Sequence, residues 1–136
     1  MSIRQWGAVM FALFVLHNAE EAVGFVYANQ NWLALLDALQ MRRFAMAPEA
    51  FLRSLGIVTA ASAAIAAWIT LTRETRATRL AVRIWAAILV VNVFIPHAPA
   101  AIAAGGYVPG VITAVLLNLP IGLACLRDTA APQRLR

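Results

Sequence analysis

One imidazole and two carboxylates lie close together in the first apolar segment of this chain. His17, Glu20 and Glu21 have the spacing i, i+3 and i+4, which places all three in one sector of a helix. An ionised carboxylate in membrane hydrocarbon costs several kcal/mol, so such groups need a protein interior, a shared proton or a bound ion. An ionisable cluster at this depth predicts a functional site for acid–base or metal chemistry.

A second histidine and an asparagine flank a proline in the third apolar segment. Pro96 lacks an N–H, and its ring opposes the carbonyl group of Asn92, so we expect the helix to bend there. Irregular backbone at membrane depth is tolerated only against protein or a wet cavity, which favours His97 as a member of the first cluster. The catalytic residues are therefore expected to be His17, Glu20, Glu21 and His97.

Further polar or small residues are expected near the cluster. Gly24 lies one turn beyond the carboxylates, and its missing side chain leaves room beside them. Arg53, early in the second apolar segment, would reach the same level and could neutralise a carboxylate. The residues expected to bind substrate or to support the site are Asn18, Gly24, Asn92, Arg53, Tyr107, Thr113 and Asn118.

Composition places the chain in a membrane. Of its 136 residues, 62% are apolar and 12% are charged, whereas soluble domains have about 25% charged residues. A membrane-crossing helix needs about 20 residues, so the length allows one compact domain of a few spans. All eleven basic residues are arginines that flank apolar runs, which is typical of membrane anchoring and argues against a nucleic-acid partner.

The apolar segments predict an all-α integral membrane four-helix bundle. They lie at about 3–28, 51–72, 80–104 and 109–126. The bundle is expected to form a single domain at 1–128, followed by a polar C-terminal tail at 129–136. The connection at 29–47 joins a polar turn to an amphipathic stretch, which predicts a short interfacial helix between helices 1 and 2.

The arginines also predict how the bundle lies in the membrane. Eight are at the termini or around the second connection (Arg4, Arg73, Arg76, Arg79, Arg83, Arg127, Arg134 and Arg136), and three are around the first (Arg42, Arg43 and Arg53). The positive-inside rule then places both termini in the cytoplasm, and we expect a bacterial inner (plasma) membrane. At about 1.5 Å per residue, His17 and His97 lie about 20 and 25 Å into their helices, in the extracytoplasmic half.

The run His17-Asn18-Ala19-Glu20-Glu21 resembles the signature of the HXXEE family of small membrane proteins. The similarity extends to His97 and to the turn Tyr107-Val108-Pro109-Gly110, so it spans most of the chain. The resemblance implies a polytopic membrane protein whose site is built from its His and Glu residues and in which enzymatic activity is suspected. It implies no particular substrate.

The residues leave three functions open, and the first is an enzyme without a cofactor. One of the two adjacent carboxyl groups would keep its proton in the low dielectric and act as a general acid, while a histidine acts as base or relay. Apolar walls would hold a lipophilic substrate, such as an isoprenoid or another membrane lipid. The reactions that fit are isomerisation, cyclisation and epoxide opening.

The second function is a metalloenzyme, and the third is not an enzyme. His17, His97, Glu20 and Glu21 offer the N and O ligands that Zn²⁺ or iron would need in a membrane hydrolase or oxidase. A small proton-coupled transporter or binding subunit is the remaining alternative, and its size would require a homo-oligomer. A stoichiometric metal ion would distinguish the second function, and a continuous polar path across the bundle would distinguish the third.

Overall fold

The computed structural model describes residues 1–130, and this part of the chain is helical with no strand. Four helical stretches are long and apolar enough to cross a membrane, which confirms the prediction of an all-α chain with four candidate spans. They are Ile3–Tyr27, Pro48–Leu71, Arg76–Ala104 and Val111–Ala130. Thr129 and Ala130, predicted to begin the polar tail, close the last helix, while residues 131–136, including Arg134 and Arg136, lie outside the described residues.

The helices begin and end where the sequence supplies caps and breaks. In chain order they are α1 (Ile3–Tyr27), α2 (Gln30–Ala38), α3 (Pro48–Leu71), α4 (Arg76–Asn92), α5 (Ala98–Ala104), α6 (Val111–Thr113) and α7 (Leu119–Ala130), with a 3₁₀ turn at Arg42–Phe44. The Ser2 hydroxyl caps α1 by accepting from the backbone N–H of Gln5, and the Thr75 hydroxyl caps α4 by accepting from the backbone N–H of Thr78. Pro48 occupies the first turn of α3, where its missing N–H removes no helical hydrogen bond.

The third span changes direction at Pro96, where a bend was predicted. A π-helical turn at Val93–His97 joins α4 to α5, and Ile95 inside it has the non-helical angles φ −146° and ψ 108°. The expected bend at Pro96 is therefore confirmed. The break leaves His97 buried in the bundle while Ile95 stays exposed on the outside.

A second π-helical turn, at Ala114–Asn118, interrupts the fourth span between α6 and α7. Such turns insert one residue into the helical register and are frequent at functional sites. Both interruptions lie beside the polar cluster, so the irregular backbone of this bundle is concentrated where the site is.

The apolar core extends from the start of α1 to about one turn before the cluster. Met10 of α1 and Val82 and Leu89 of α4 are almost fully buried there, and Phe14 meets the edge of Trp85 with ring centroids 6.1 Å apart. The indole N–H of Trp6 donates to Asp128 at 2.6 Å, joining the start of α1 to the end of α7. This packing fixes α1 against α4 and α7 and so positions the half of α1 that carries the cluster.

Candidate functional site

Two histidines and one glutamate converge from two spans. His17 and Glu21 come from α1, and His97 comes from the break in the third span. Glu21 Oε1 lies 3.5 Å from His17 Nε2 and 3.3 Å from His97 Nε2. The imidazole rings meet edge to face with centroids 4.8 Å apart, and their side chains are only 3% and 5% exposed.

These distances fit metal ligands better than hydrogen bonds. An N–H···O bond spans about 2.7–3.2 Å, and charge-assisted bonds are shorter, so both contacts to Glu21 are long. His97 Nε2 is buried without a hydrogen-bond partner. Ligand atoms about 2.0–2.2 Å from a tetrahedral zinc ion lie about 3.4 Å from one another. All three ligand atoms lie within 4.8 Å of one another, so the three side chains form a group that could hold one metal ion.

Glu20, adjacent in sequence, is engaged elsewhere. Its carboxylate accepts from the backbone N–H of Ile112 at 3.0 Å and of Thr113 at 2.7 Å, and from the Thr113 hydroxyl at 2.6 Å. Both oxygens are therefore occupied by donors at the start of the fourth span. Glu20 holds this segment against α1, whereas Glu21 faces the histidines.

The bond from Thr113 to Glu20 determines which nitrogen of His17 carries a proton. Thr113 Oγ1 has one hydrogen, which it donates to Glu20, so it must accept from His17 Nδ1 at 2.9 Å. The neutral ring then presents the lone pair of Nε2 toward Glu21 and His97. The amide of Asn92 lies 2.8 Å from the same Nε2 and would compete with an ion for that lone pair.

The turn before the fourth span completes the enclosure. Gly110 has φ +86°, a backbone conformation that residues with a side chain rarely adopt. A Cβ there would lie 2.5 Å from His97 Cε1 and 2.8 Å from Glu21 Cγ. A Cβ on Gly24 would collide with the Tyr107 hydroxyl and lie 3.0 Å from Pro109 Cα. Glycine is thus required on both sides of this close contact between α1 and the turn.

A cavity of about 190 Å³ adjoins the cluster, and Glu21 and His97 form part of its wall. The rest of the wall is apolar. It includes Phe25, Trp32, Met46, Phe51 and Val108. Phe25 and Phe51 stack with centroids 4.0 Å apart. A small lipophilic molecule in this cavity would contact one face of the cluster.

The structure gathers most of the residues expected to support the site, but not all. Asn92 and Thr113 contact His17 directly, as described above. Tyr107 packs on Gly24. Its burial and, to a smaller extent, the nearby Glu20 carboxylate raise the pKa of the Tyr107 hydroxyl. The hydroxyl therefore remains a hydrogen-bond donor at neutral pH.

Three of the expected residues form no hydrogen bond or ion pair with the cluster within residues 1–130. Asn18 turns toward α3 and donates to the Thr59 hydroxyl at 2.7 Å. Arg53 is exposed, and within residues 1–130 no carboxylate forms an ion pair with it. Asn118 is fully buried, and neither atom of its amide has a hydrogen-bond partner in the described chain.

Sequence reasoning missed the aromatic wall of the cavity. Trp32 lies on α2 and Met46 on the following connection, where an apolar residue is ordinarily taken as an interfacial anchor. A weak signal was present in α2, whose apolar residues recur on one face and therefore predict contact with something apolar. That pattern could not distinguish a lipid surface from the bundle.

The hydroxyl of Thr113 can be tested as the group that fixes the His17 tautomer. In Thr113→Val, which preserves shape and removes the hydroxyl, the ratio of Nδ1–H to Nε2–H tautomer is expected to fall about five- to tenfold, the equivalent of one hydrogen bond. The measurement is ¹⁵N NMR of histidine-labelled protein, in which only two histidines contribute. Thr113→Ser is the control and should keep the wild-type ratio; an unchanged ratio in Thr113→Val would remove this role.

Fold and site together define a helical protein with four candidate membrane spans and a histidine–glutamate cluster shared between the first and third. A family model described as "Protein of unknown function with HXXEE motif" matches residues 8–125, and the chain belongs to this family, as its sequence motif predicted. His17, Glu20 and Glu21 are the residues of that motif. No curated protein and no solved structure gives a significant match.

Proposed function

We propose that this protein is a membrane metalloenzyme in which His17, Glu21 and His97 bind one divalent ion next to a cavity for a lipophilic substrate. The observation that carries the proposal is the position of both Nε2 atoms 3.3 and 3.5 Å from one carboxylate oxygen. These separations are those of neighbouring ligands around one ion and exceed those of hydrogen bonds.

The surroundings of His17 support this assignment. Histidine ligands almost always donate their second ring N–H to an oxygen, which orients the ring and raises its basicity. Thr113 is that oxygen for His17, and Glu20 in turn holds Thr113. Because Glu20 accepts three hydrogen bonds already, it acts as a positioning residue and Glu21 acts as the ligand.

The donor set indicates Zn²⁺ or Fe²⁺. Two histidines and one carboxylate bind zinc in hydrolases, with a fourth position left for water or substrate, and the same set binds non-haem iron in oxygenases. When bound, such an ion would polarise a substrate oxygen or activate a small molecule. Glu21 and His97 line the cavity, so the open side of the cluster would face the substrate.

A metal-free acid–base enzyme is the second candidate. The observation in its favour is the Asn92 amide 2.8 Å from His17 Nε2, which engages the lone pair that an ion would need. In that case Glu21 and His97, which both reach the cavity, would exchange a proton with the substrate in an isomerisation, cyclisation or epoxide opening.

We further propose that both ends of the described chain lie in the cytoplasm of a bacterial cell and that the protein spans the plasma membrane. The arginine distribution supports this orientation, and the Trp6–Asp128 bond supports the two ends lying on the same side. The cluster would then lie in the extracytoplasmic half. The amphipathic helix α2 would lie at that membrane surface, with Trp32 turned toward the cavity.

Metal analysis of the purified wild-type protein tests the proposal. After dialysis against Zn²⁺ or Fe²⁺ and removal of the excess, elemental analysis is expected to find about one ion per chain. The ion should be removed by a chelator and rebound afterwards. A protein that retains no Zn²⁺, Fe²⁺ or Mn²⁺ at micromolar concentrations would contradict the metal site and leave the acid–base candidate.

A further inference from the structure

The composition of the cavity wall restricts what it can hold. Among the described residues that line it, Glu21 is the only acidic one and none is an arginine. A phosphate, diphosphate or carboxylate inside the cavity would have no arginine to pair with and would lie near the Glu21 carboxylate. Without a bound ion, the charge of the wall therefore selects against anionic molecules.

The size of the cavity selects a compact molecule. An apolar cavity of about 150 Å³ accommodates benzene, so the 190 Å³ found here suits a molecule of one or two fused rings. An extended acyl chain needs a long channel, which a space of this volume does not provide. A longer lipid would have to leave its tail outside.

The shape of the wall favours a flat molecule. Phe25 and Phe51 present a stacked pair, and Trp32 adds a third aromatic side chain. Aromatic rings pair with other rings in offset-stacked or edge-to-face geometries that aliphatic chains cannot reproduce. Two prolines, Pro96 and Pro109, add rigid apolar surface to the same wall.

We propose that the cavity binds an uncharged ring compound, either as a free small molecule or as the ring end of a membrane lipid. This inference rests on the proposed function only in taking the occupant as the substrate. Ring binding itself depends on the aromatic wall and requires no ion, so the two proposals can fail separately.

Fluorescence of Trp32 provides the test, because a bromine atom quenches an indole that it touches. The probes are 2-bromonaphthalene, its anionic analogue 6-bromo-2-naphthoate and the chain compound 1-bromodecane, each titrated into chelator-treated protein in nanodiscs. The signal is the saturable quenching that disappears in Trp32→Phe, which removes contributions from the other three tryptophans.

The uncharged 2-bromonaphthalene is expected to quench Trp32 saturably, with an affinity at least about tenfold above that of the naphthoate. The chain compound 1-bromodecane should give no saturable signal. Phe51→Ala should lower the affinity for 2-bromonaphthalene about three- to tenfold, the equivalent of one aromatic contact. Phe94→Ala, at an exposed aromatic outside the cavity wall, is the matched control and should leave affinity unchanged. Equal binding of the naphthoate or of 1-bromodecane would overturn the inference.

The free molecule and the lipid are distinguished by a competitor. Unlabelled naphthalene and naphthalene carrying a decyl tail should both displace the probe, and stronger displacement by the tailed compound assigns the ring end of a lipid. Loss of ring binding with intact metal binding would refute this inference alone. Intact ring binding without any metal site would refute the metalloenzyme alone.

Discussion

Replacing Glu21 by Gln is expected to lower the affinity of the protein for Zn²⁺ or Fe²⁺ by more than about a hundredfold. Loss of an outer hydrogen-bond partner of a ligand already costs about ten- to a hundredfold, and loss of the only charged ligand should cost more. The amide is nearly isosteric with the carboxylate, so α1 keeps its packing. The measurement is competition with a chromophoric chelator, together with circular dichroism to confirm the helical content.

Glu20→Gln provides the matched control, because the same substitution occurs one position earlier on the same helix. Glu20 accepts from the Thr113 hydroxyl and from the backbone N–H groups of Ile112 and Thr113, whereas the ion pair of His97 within the described residues is with Glu21. Its replacement should weaken metal binding about ten- to a hundredfold, through the orientation of His17. A larger loss in Glu20→Gln than in Glu21→Gln would reverse the roles of the two glutamates.

Gly110→Ala is expected to remove both metal binding and ring binding while the four long helices remain folded. The new Cβ would lie 2.5 Å from His97, 2.8 Å from Glu21 and 3.0 Å from His17, so these side chains must separate. The positive φ adds a strain of about 1–2 kcal/mol. The measurements are metal competition and probe quenching, with thermal unfolding to record the cost to the fold.

Gly105→Ala separates these two effects. Gly105 also has a positive φ, +64°, but a Cβ there has no neighbour within 4 Å. It should therefore show the loss of stability without any loss of metal or ring affinity. Normal metal affinity in Gly110→Ala would show that the turn does not shape the cluster.

The long helices could be predicted from the sequence because their signals are local. Hydropathy identified the four spans, and Pro96 identified the break in the third. The spacing of His17, Glu20 and Glu21 correctly placed them on one side of α1. These features depend on the period of the helix and on one missing N–H, both of which are visible in a single segment.

The separate tasks of Glu20 and Glu21 could not be predicted because they depend on a distant segment. Adjacent helical residues differ by about 100° in direction, and both remain on the inner side of α1. The backbone amides of Ile112 and Thr113 occupy Glu20, and this leaves Glu21 for the histidines. That choice follows from how the fourth span packs, which no local pattern in α1 reveals.

The cavity depended even more on packing between distant segments. Phe25 and Phe51 lie on different spans, and Trp32 lies on the short helix between them. Each residue is unremarkable in its own segment. The Asn31 amide of α2 donates to the backbone carbonyl of Tyr107 at 2.9 Å, and this contact with a distant segment helps to place the Trp32 indole in the cavity wall beside Glu21 and His97.

The three ligands come from two separate spans, and this affects the thermal stability of the bundle. An ion held by α1 and by the break after α4 would act as a reversible cross-link between helices that the connection through α3 leaves far apart along the chain. Resistance to heat would then rise with the logarithm of free metal concentration above the dissociation constant. A cell deprived of the ion would hold a looser bundle, one more easily extracted and degraded by membrane proteases.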